Sequence, residues 1–187
     1  MFVMGPVLFE LPELQKWVGL TGGKRKGKLG VGEILERIRR VDQKMGTTTQ
    51  AFDARLVAGK AHLAHASRLA LLAHSRGMGF ADSLALELIC WAAAERQISR
   101  ALEKMGLKED SVAIGLVSVG EEKETVERAL EEILRETEIE REDEVLNLSP
   151  SKARLLLEKF YLPKKMVRKL GVQKLVLERI ALLALEK

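Results

Sequence analysis

Apolar and polar positions follow two different periods along this chain, and the change of period separates strands from helices. Segments favourable for strands occur at 2–10 and 47–57, and Gly5 and Pro6 make the first an edge strand. The run at 112–119 is almost entirely apolar, which is typical of a central strand covered on both faces. A short segment at 144–148 is a candidate last strand.

Apolar residues three and four positions apart predict helices at about 33–44, 60–75, 121–137 and 150–160. Asp82-Ser83 favours the start of a longer helix that runs to Met105, and a final helix occupies Leu170–Lys187. Strands interleaved with helices predict an α+β fold, in which a small mixed or antiparallel sheet of about four strands is packed by six to seven helices. We expect one domain spanning residues 1–187.

The segment Gly19–Gly30 contains five glycines and four basic residues, which predicts a mobile loop ahead of a helix. The loop also satisfies part of a phosphate-binding G-x-x-x-x-G-K pattern between Gly22 and Lys28. The next residue is Leu29 rather than the Ser or Thr that would hold magnesium, so nucleotide hydrolysis is not favoured.

The composition, 47% hydrophobic and 31% charged, is that of a soluble globular protein. The single cysteine, Cys90, excludes an intrachain disulfide and suits a reducing compartment, so we expect a cytoplasmic protein. We expect no membrane span, because no apolar run is long enough, and no cleaved signal, because the first ten residues lack a basic lead.

Charge is unevenly distributed along the chain. Residues 1–108 carry 17 basic and 10 acidic side chains, residues 109–144 carry 4 and 14, and residues 145–187 carry 10 and 3. A polyanion is therefore expected to meet a face that excludes residues 109–144. Solvated helix faces on a charge-rich protein would give the same pattern.

The three histidines, His62, His65 and His74, lie on one predicted helix, but they do not form the compact three-ligand set of a catalytic zinc site. Neither an H-E-x-x-H nor a G-x-S-x-G motif occurs, and Cys90 has no basic neighbour that would activate its thiol. We expect no metal, no cofactor and no catalytic residue, with Cys90 as a buried, inert thiol.

A cluster of hydrogen-bond donors lies near the end of the long predicted helix. Arg96 and Arg100 are four positions apart and would share one helix face, with Gln97 turned about 100° away. Guanidinium groups bind phosphate or carboxylate in pairs of hydrogen bonds, and Gln offers a donor and an acceptor to a base edge. The alternative is a surface ion pair of Arg96 or Arg100 with Glu103.

Two motifs, the second of which contains this cluster, resemble those of a known family. The stretch 54–63, ARLVAGKAHL, resembles a strand that ends in a V-A-G-x-x-H-L turn, and 86–101, LELICWAAAERQISRA, resembles an E-x-L-L-Y-x-S-G-x-R-Q-I helix. With 175–185 as the C-terminal helix and Phe2–Phe9 as the first strand, the chain resembles the small kinase-binding subunit of the KEOPS complex, which installs threonylcarbamoyladenosine in tRNA. It departs in having Ala93-Ala94 for Ser-Gly and Trp91 for Tyr. Its region Gly19–Lys44 is also longer and more basic than the family's usual first connection, so we interpret residues 19–44 as a basic, glycine-rich insertion.

The resemblance implies a non-catalytic protein that binds and stimulates the atypical small kinase, an ATPase, and captures the 3′ CCA end of tRNA. It implies an indirect association with the threonylcarbamoyltransferase subunit. Carried over from the two motifs, with Arg100 added from the donor cluster, the expected RNA-contact residues are Gly59, Lys60, His62, Arg96, Gln97 and Arg100. The residues expected to contact the kinase are Leu177, Ile180, Ala181 and Ala184, for each of which core packing is the alternative. A stand-alone RNA-binding module and a small enzyme that uses the histidine helix are the competing classes.

Overall fold

The apolar run predicted as a central strand lies inside one antiparallel sheet of five strands. A computed structural model describes residues 5–186. The strands are β1 (Val7–Leu11), β2 (Lys16–Arg25), β3 (Thr48–Asp53), β4 (Ala113–Gly120) and β5 (Ile139–Arg141). Their order is β1-β2-β4-β3, with β5 paired to the far end of β2. The predicted α+β class is confirmed, and β4 is buried along nearly its whole length. Residues 2–4 of the expected first strand lie outside the described part.

The glycine-rich segment is not a mobile loop, which corrects the prediction for Gly19–Gly30. Most of it belongs to β2, the longest strand, which pairs with β1, β4 and β5. The remainder leads directly into helix α1 (Val31–Met45). Residues 19–44 therefore contribute most of β2, the link that follows it and most of α1.

The glycines of β2 have a packing role that residue composition alone conceals. A Cβ atom at Gly19 would lie 2.7 Å from side-chain carbons of Val126 and Leu130, and one at Gly23 would lie 2.5 Å from the carbonyl oxygen of Glu140. Glycine therefore allows a helix and a neighbouring strand to approach the backbone of β2 closely.

Helices cover both faces of the sheet. One face carries α1 and α5 (Lys123–Glu136), whose apolar residues pack on Ala51, Ile114 and Leu116. The other face carries α2 (Lys60–Ser75), α3 (Leu84–Ala93) and α8 (Val172–Leu183), which share a core with Val18, Phe52 and Val117. The acidic residues of α5 thus lie on the opposite face of the sheet from the α2–α3 pair.

The long helix expected from Asp82-Ser83 to Met105 is two helices, α3 and α4 (Ile98–Met105). Ser83 caps the first as predicted, and its hydroxyl accepts a hydrogen bond from the backbone of Leu86 at 3.2 Å. The break is at Ala94, whose φ of 52° is left-handed. The amides of Ala94 and Glu95 donate back to the carbonyls of Trp91 and Cys90, which is the hydrogen-bond pattern of a Schellman helix end.

The C-terminal third differs from prediction in two places. Residues 144–148 form a short 3-10 turn at Asp143–Leu146 instead of a strand. The last predicted helix corresponds to α8, and a further helix, α7 (Lys164–Leu170), which was not predicted, precedes it across Gly171 (φ 82°). Helix α6 (Pro150–Lys159) begins at the predicted Ser149-Pro150. Lys187 lies outside the described residues. Within residues 5–186, no helix has the length and apolarity that crossing a bilayer requires.

Candidate nucleic-acid and partner interface

The turn that leads into α2 is fixed by a glycine and by the last helix. Gly59 has a φ of 110°, a conformation that side chains disfavour. A Cβ there would lie 2.3 Å from Nε2 of Gln173, an atom that donates to the carbonyl of Ala58 at 2.8 Å. Gly59 is buried, so it shapes the turn but does not present its own backbone to solvent. Lys60, the next residue, is half-buried.

His62 is fully buried, and both of its ring nitrogens have backbone partners. The amide of Ala58 donates to Nδ1 at 2.9 Å, so the hydrogen must be on Nε2, which donates to the carbonyl of Ala92 at 2.8 Å. Burial lowers the pKa of His62 to about 4. The ring is therefore neutral and inaccessible, which corrects the expectation that His62 contacts RNA: it joins the start of α2 to the end of α3.

The C-terminal end of α3 is held by a lysine from α4. Nζ of Lys104 donates to the carbonyl of Ala93 at 2.7 Å, contacts Glu95 at 3.3 Å and lies 4.0 Å from the centre of the Phe160 ring. A cation is favourable at this helix end because the free carbonyls are partly negative. Phe160 packs edge-on against the His62 ring, so one cluster positions both the turn and the segment that follows α3.

Arg96, Gln97 and Arg100 are all exposed, but Arg96 and Arg100 do not share one helix face as predicted. Arg96 lies in the link before α4, Gln97 is the extended residue that begins α4, and Arg100 is in its first turn. Among the described residues, no ion pair involves Arg96, Arg100 or Glu103, so the alternative surface pairs do not form. The two guanidinium groups are available to an external anion.

A support for Arg96 was not foreseen from the sequence. Its guanidinium lies 5.6 Å from the centre of the Phe80 ring, which in turn packs on Trp91 with the ring centres 5.3 Å apart. The buried side chain of Glu87 accepts hydrogen bonds from Trp91 Nε1 (2.6 Å) and from the amides of Phe80 (2.7 Å) and Ala81 (2.9 Å). The Glu87–Trp91 spacing of four on α3 is the only signal that could have suggested this support.

The expected kinase-contact residues divide between surface and core. Ala181 and Ala184 are exposed and Leu177 is half-buried, whereas Ile180 is fully buried and packs in the core. Ile180 is therefore unavailable to a partner, which corrects its assignment. Leu182 and Leu185, which were not predicted, are 42% and 76% exposed beside the two alanines. An apolar strip at the C-terminal end of α8 and in the two residues after it thus faces solvent.

Two further candidates for chemistry, Cys90 and His65, lie on α3 and α2. Burial raises the pKa of the Cys90 thiol to about 11, so the thiol stays protonated and unreactive, in agreement with the sequence. Burial also lowers the pKa of His65. Within residues 5–186, no group of three or more His, Cys, Asp or Glu side chains is arranged to hold a metal ion.

Comparison with known proteins gives this architecture a family. The family model described as kinase binding protein CGI-121 matches residues 31–184, which include both motifs and α8. The Regulatory protein Cgi121 of Methanocaldococcus jannaschii is 32% identical over 144 residues, which are 76% of this chain and 88% of that protein. Strands β1 and β2 precede the matched part. The resemblance inferred from the sequence is confirmed: the chain belongs to the CGI-121 family of kinase binding proteins.

Proposed function

We propose that this chain is the non-catalytic subunit of a KEOPS-type complex for tRNA threonylcarbamoyladenosine modification, which binds and stimulates the atypical kinase and helps to recruit tRNA by its 3′ CCA end. Family membership is the observation that carries the proposal, because the family is defined by kinase binding. The M. jannaschii relative is named a regulatory protein, which supports control of a partner's activity. We propose that the protein carries out this function in the cytoplasm.

The surface of α8 supports the kinase contact. Interface cores are depleted of charged residues and rely on apolar side chains that lose contact with water. Ala181, Leu182, Ala184 and Leu185 supply such a surface. The link to the transferase subunit would then pass through the kinase.

The segment Arg96–Arg100 supports the tRNA contact. Two exposed guanidinium groups without acidic partners can bind phosphates, and the Gln97 amide can read a base edge. The acidic helix α5 lies on the opposite face of the sheet, where it would repel RNA least. His62 contributes by joining the start of α2 to the end of α3, and Gly59 contributes by shaping the turn that leads into α2.

Two measurements test the two halves of the proposal. The chain should form a complex with its cognate kinase and raise the ATPase rate of that kinase; no complex and an unchanged rate would refute the kinase role. The chain should also bind intact tRNA more tightly than tRNA trimmed of CCA, and Arg96→Ala should cost about 1–3 kcal/mol of binding to intact tRNA. RNA binding without a kinase complex would instead favour a stand-alone RNA-binding module.

A further inference from the structure

A cleft of about 690 Å³ opens between the turn after β3, helix α4 and the C-terminal end of α6. Its volume lies in the range of sites that take one small ligand or a few groups of a larger one. Arg100, one of the exposed guanidinium groups described above, lines it, so the cleft is continuous with the candidate RNA surface. Lys159, the last residue of α6, and Tyr161, which follows this helix end, also line the cleft.

The charges in this cleft do not cancel. Asp53 is held by Arg55, whose Nη2 lies 2.6 Å from the carboxylate, and Glu95 contacts Lys104 at 3.3 Å. The remaining lining cations are Arg100, Lys108 and Lys159, and the remaining acid is Glu103. None of these four forms an ion pair among residues 5–186. The cleft therefore carries an excess of positive charge that no acidic side chain of residues 5–186 pairs with.

The one tyrosine of the chain stands at the edge of this cleft in an unfavourable backbone conformation. Tyr161 has a φ of 52°, and 78% of the residue is exposed. It ends α6 in the same way that Ala94 ends α3, with amides 161 and 162 donating to the carbonyls of Glu158 and Leu157. Glycine is the usual residue there because other residues are strained in this region. A large aromatic side chain kept at a strained, exposed position indicates a binding role.

We propose that Tyr161, Arg100, Lys108 and Lys159 form a stacking subsite for an unpaired RNA nucleotide, in which the base lies on the Tyr161 ring and the phosphates contact the three cations. The combination of a cationic groove and an exposed aromatic ring is the one by which proteins hold single-stranded nucleic acid with little sequence preference. The subsite rests on the RNA half of the proposed function. It extends the contact from Arg96 along α4 to the end of α6.

An acidic peptide would also be attracted to the three cations, but it would not need the ring. Removal of the ring therefore separates the two ligands. Tyr161→Gly is the informative variant because glycine suits a φ of 52° and should not destabilise the fold. Tyr161→Phe is its matched control, since it keeps the stacking surface and removes only the hydroxyl group.

The test is fluorescence anisotropy of a labelled six-nucleotide single-stranded RNA without a CCA end, titrated with the full chain. Tyr161→Gly should bind about 5- to 100-fold more weakly than the unmodified chain, and Tyr161→Phe should bind equally well. Lys159→Gln should bind more weakly with a shallower salt dependence, whereas Lys123→Gln, on the opposite face of the sheet, should change neither. Equal affinity of the glycine variant and the unmodified chain would overturn the subsite.

The same titration with intact and CCA-trimmed tRNA separates failure of the subsite from failure of the proposed function. If Tyr161→Gly and the unmodified chain bind both the oligonucleotide and intact tRNA equally, and trimming weakens both, the subsite is wrong and the CCA contact stands. If the unmodified chain binds no RNA, the RNA half of the proposed function and the subsite are both wrong. A polyglutamate peptide that binds at the same affinity to Tyr161→Gly and to the unmodified chain, in the absence of RNA binding, would identify the cleft as a peptide site.

Discussion

Nε2 of His62 donates a hydrogen bond to the carbonyl oxygen of Ala92 at 2.8 Å, and this contact joins two sequence motifs that lie thirty residues apart. It places the first turn of α2 against the last turn of α3, just before the exposed Arg96. The histidine can do so only when neutral, because its Nδ1 must accept the amide hydrogen of Ala58. The geometry of the candidate RNA surface is therefore coupled to the protonation of a buried ring.

Acid should destabilise the protein through His62. Its pKa is about 4 in the folded state, below the ordinary histidine value of 6.5 that applies in the unfolded chain, so the unfolded chain binds more protons between these two pH values. Stability from this group is complete above about pH 6.5 and falls as the pH drops towards 4, by up to about 3 kcal/mol. Urea unfolding at pH 7, 5.5 and 4.5 measures this loss of stability. The His62→Gln variant, whose side chain does not titrate, should lose less stability than the unmodified chain over this pH interval. Equal losses would contradict the assignment of the acid sensitivity to His62.

Replacing Ala94 with glycine should stabilise the protein. Ala94 holds a left-handed conformation at the end of α3, and glycine adopts it without the steric cost of Cβ, a gain of about 1 kcal/mol. Denaturant unfolding checks the value. Ala93→Gly is the control, because Ala93 is still helical and buried, and glycine should cost about 0.5–1 kcal/mol there. Destabilisation by Ala94→Gly would contradict the role given to the turn.

Glu87→Gln should destabilise the fold by about 2 kcal/mol or more. The buried side chain accepts three N–H groups, and an amide can present only one acceptor oxygen, so at least one donor loses its partner. Trp91→Phe, which removes one donor and keeps most of the packing, should cost less. The order of the two unfolding midpoints is the measurement, and a reversed order would place the main support elsewhere.

Charges introduced on the exposed strip of α8 should abolish kinase binding without unfolding the chain. Leu182→Arg and Ala184→Arg alter exposed positions, so the thermal midpoint should change little, while co-purification with the kinase should be lost. Lys123→Glu, on the opposite face of the sheet, is the control for a change of charge. Retention of the kinase by both arginine variants would move the interface away from α8.

Elements with a clear period were predictable from the sequence, and elements defined by distant neighbours were not. Helix α2 was found at its observed bounds, 60–75, because a glycine precedes a regular apolar pattern. Strand β2 was missed because its glycines are typical of a loop. Glycine is needed there because Val126 and Leu130, over a hundred residues later in the sequence, pack closely against the backbone of β2. The break at Ala94 was missed because alanine gives no local signal for a left-handed residue; the family pattern, with glycine there, carried that signal.

The motifs that form the candidate site were predictable from the sequence, but the roles of their individual residues were not. The sequence identified the neighbourhoods of His62 and Arg96, which the structure brings together. It could not show that His62 is buried or that Arg96 rests on Phe80, because both facts depend on how α2, α3 and the loop between them pack. The strained Tyr161 had no local signal at all.

The pairing of β2 with β4 also constrains how the chain acquires its shape during synthesis. Trp17 lies opposite Gly120, so the centre of the sheet closes a loop of about a hundred residues. Such non-local pairing slows folding. During synthesis, β2 remains without its principal partner, β4, until most of the chain has emerged from the ribosome. The glycines of β2 lower the tendency of this unpaired strand to associate with other nascent chains, because glycine is a poor former of intermolecular β-structure.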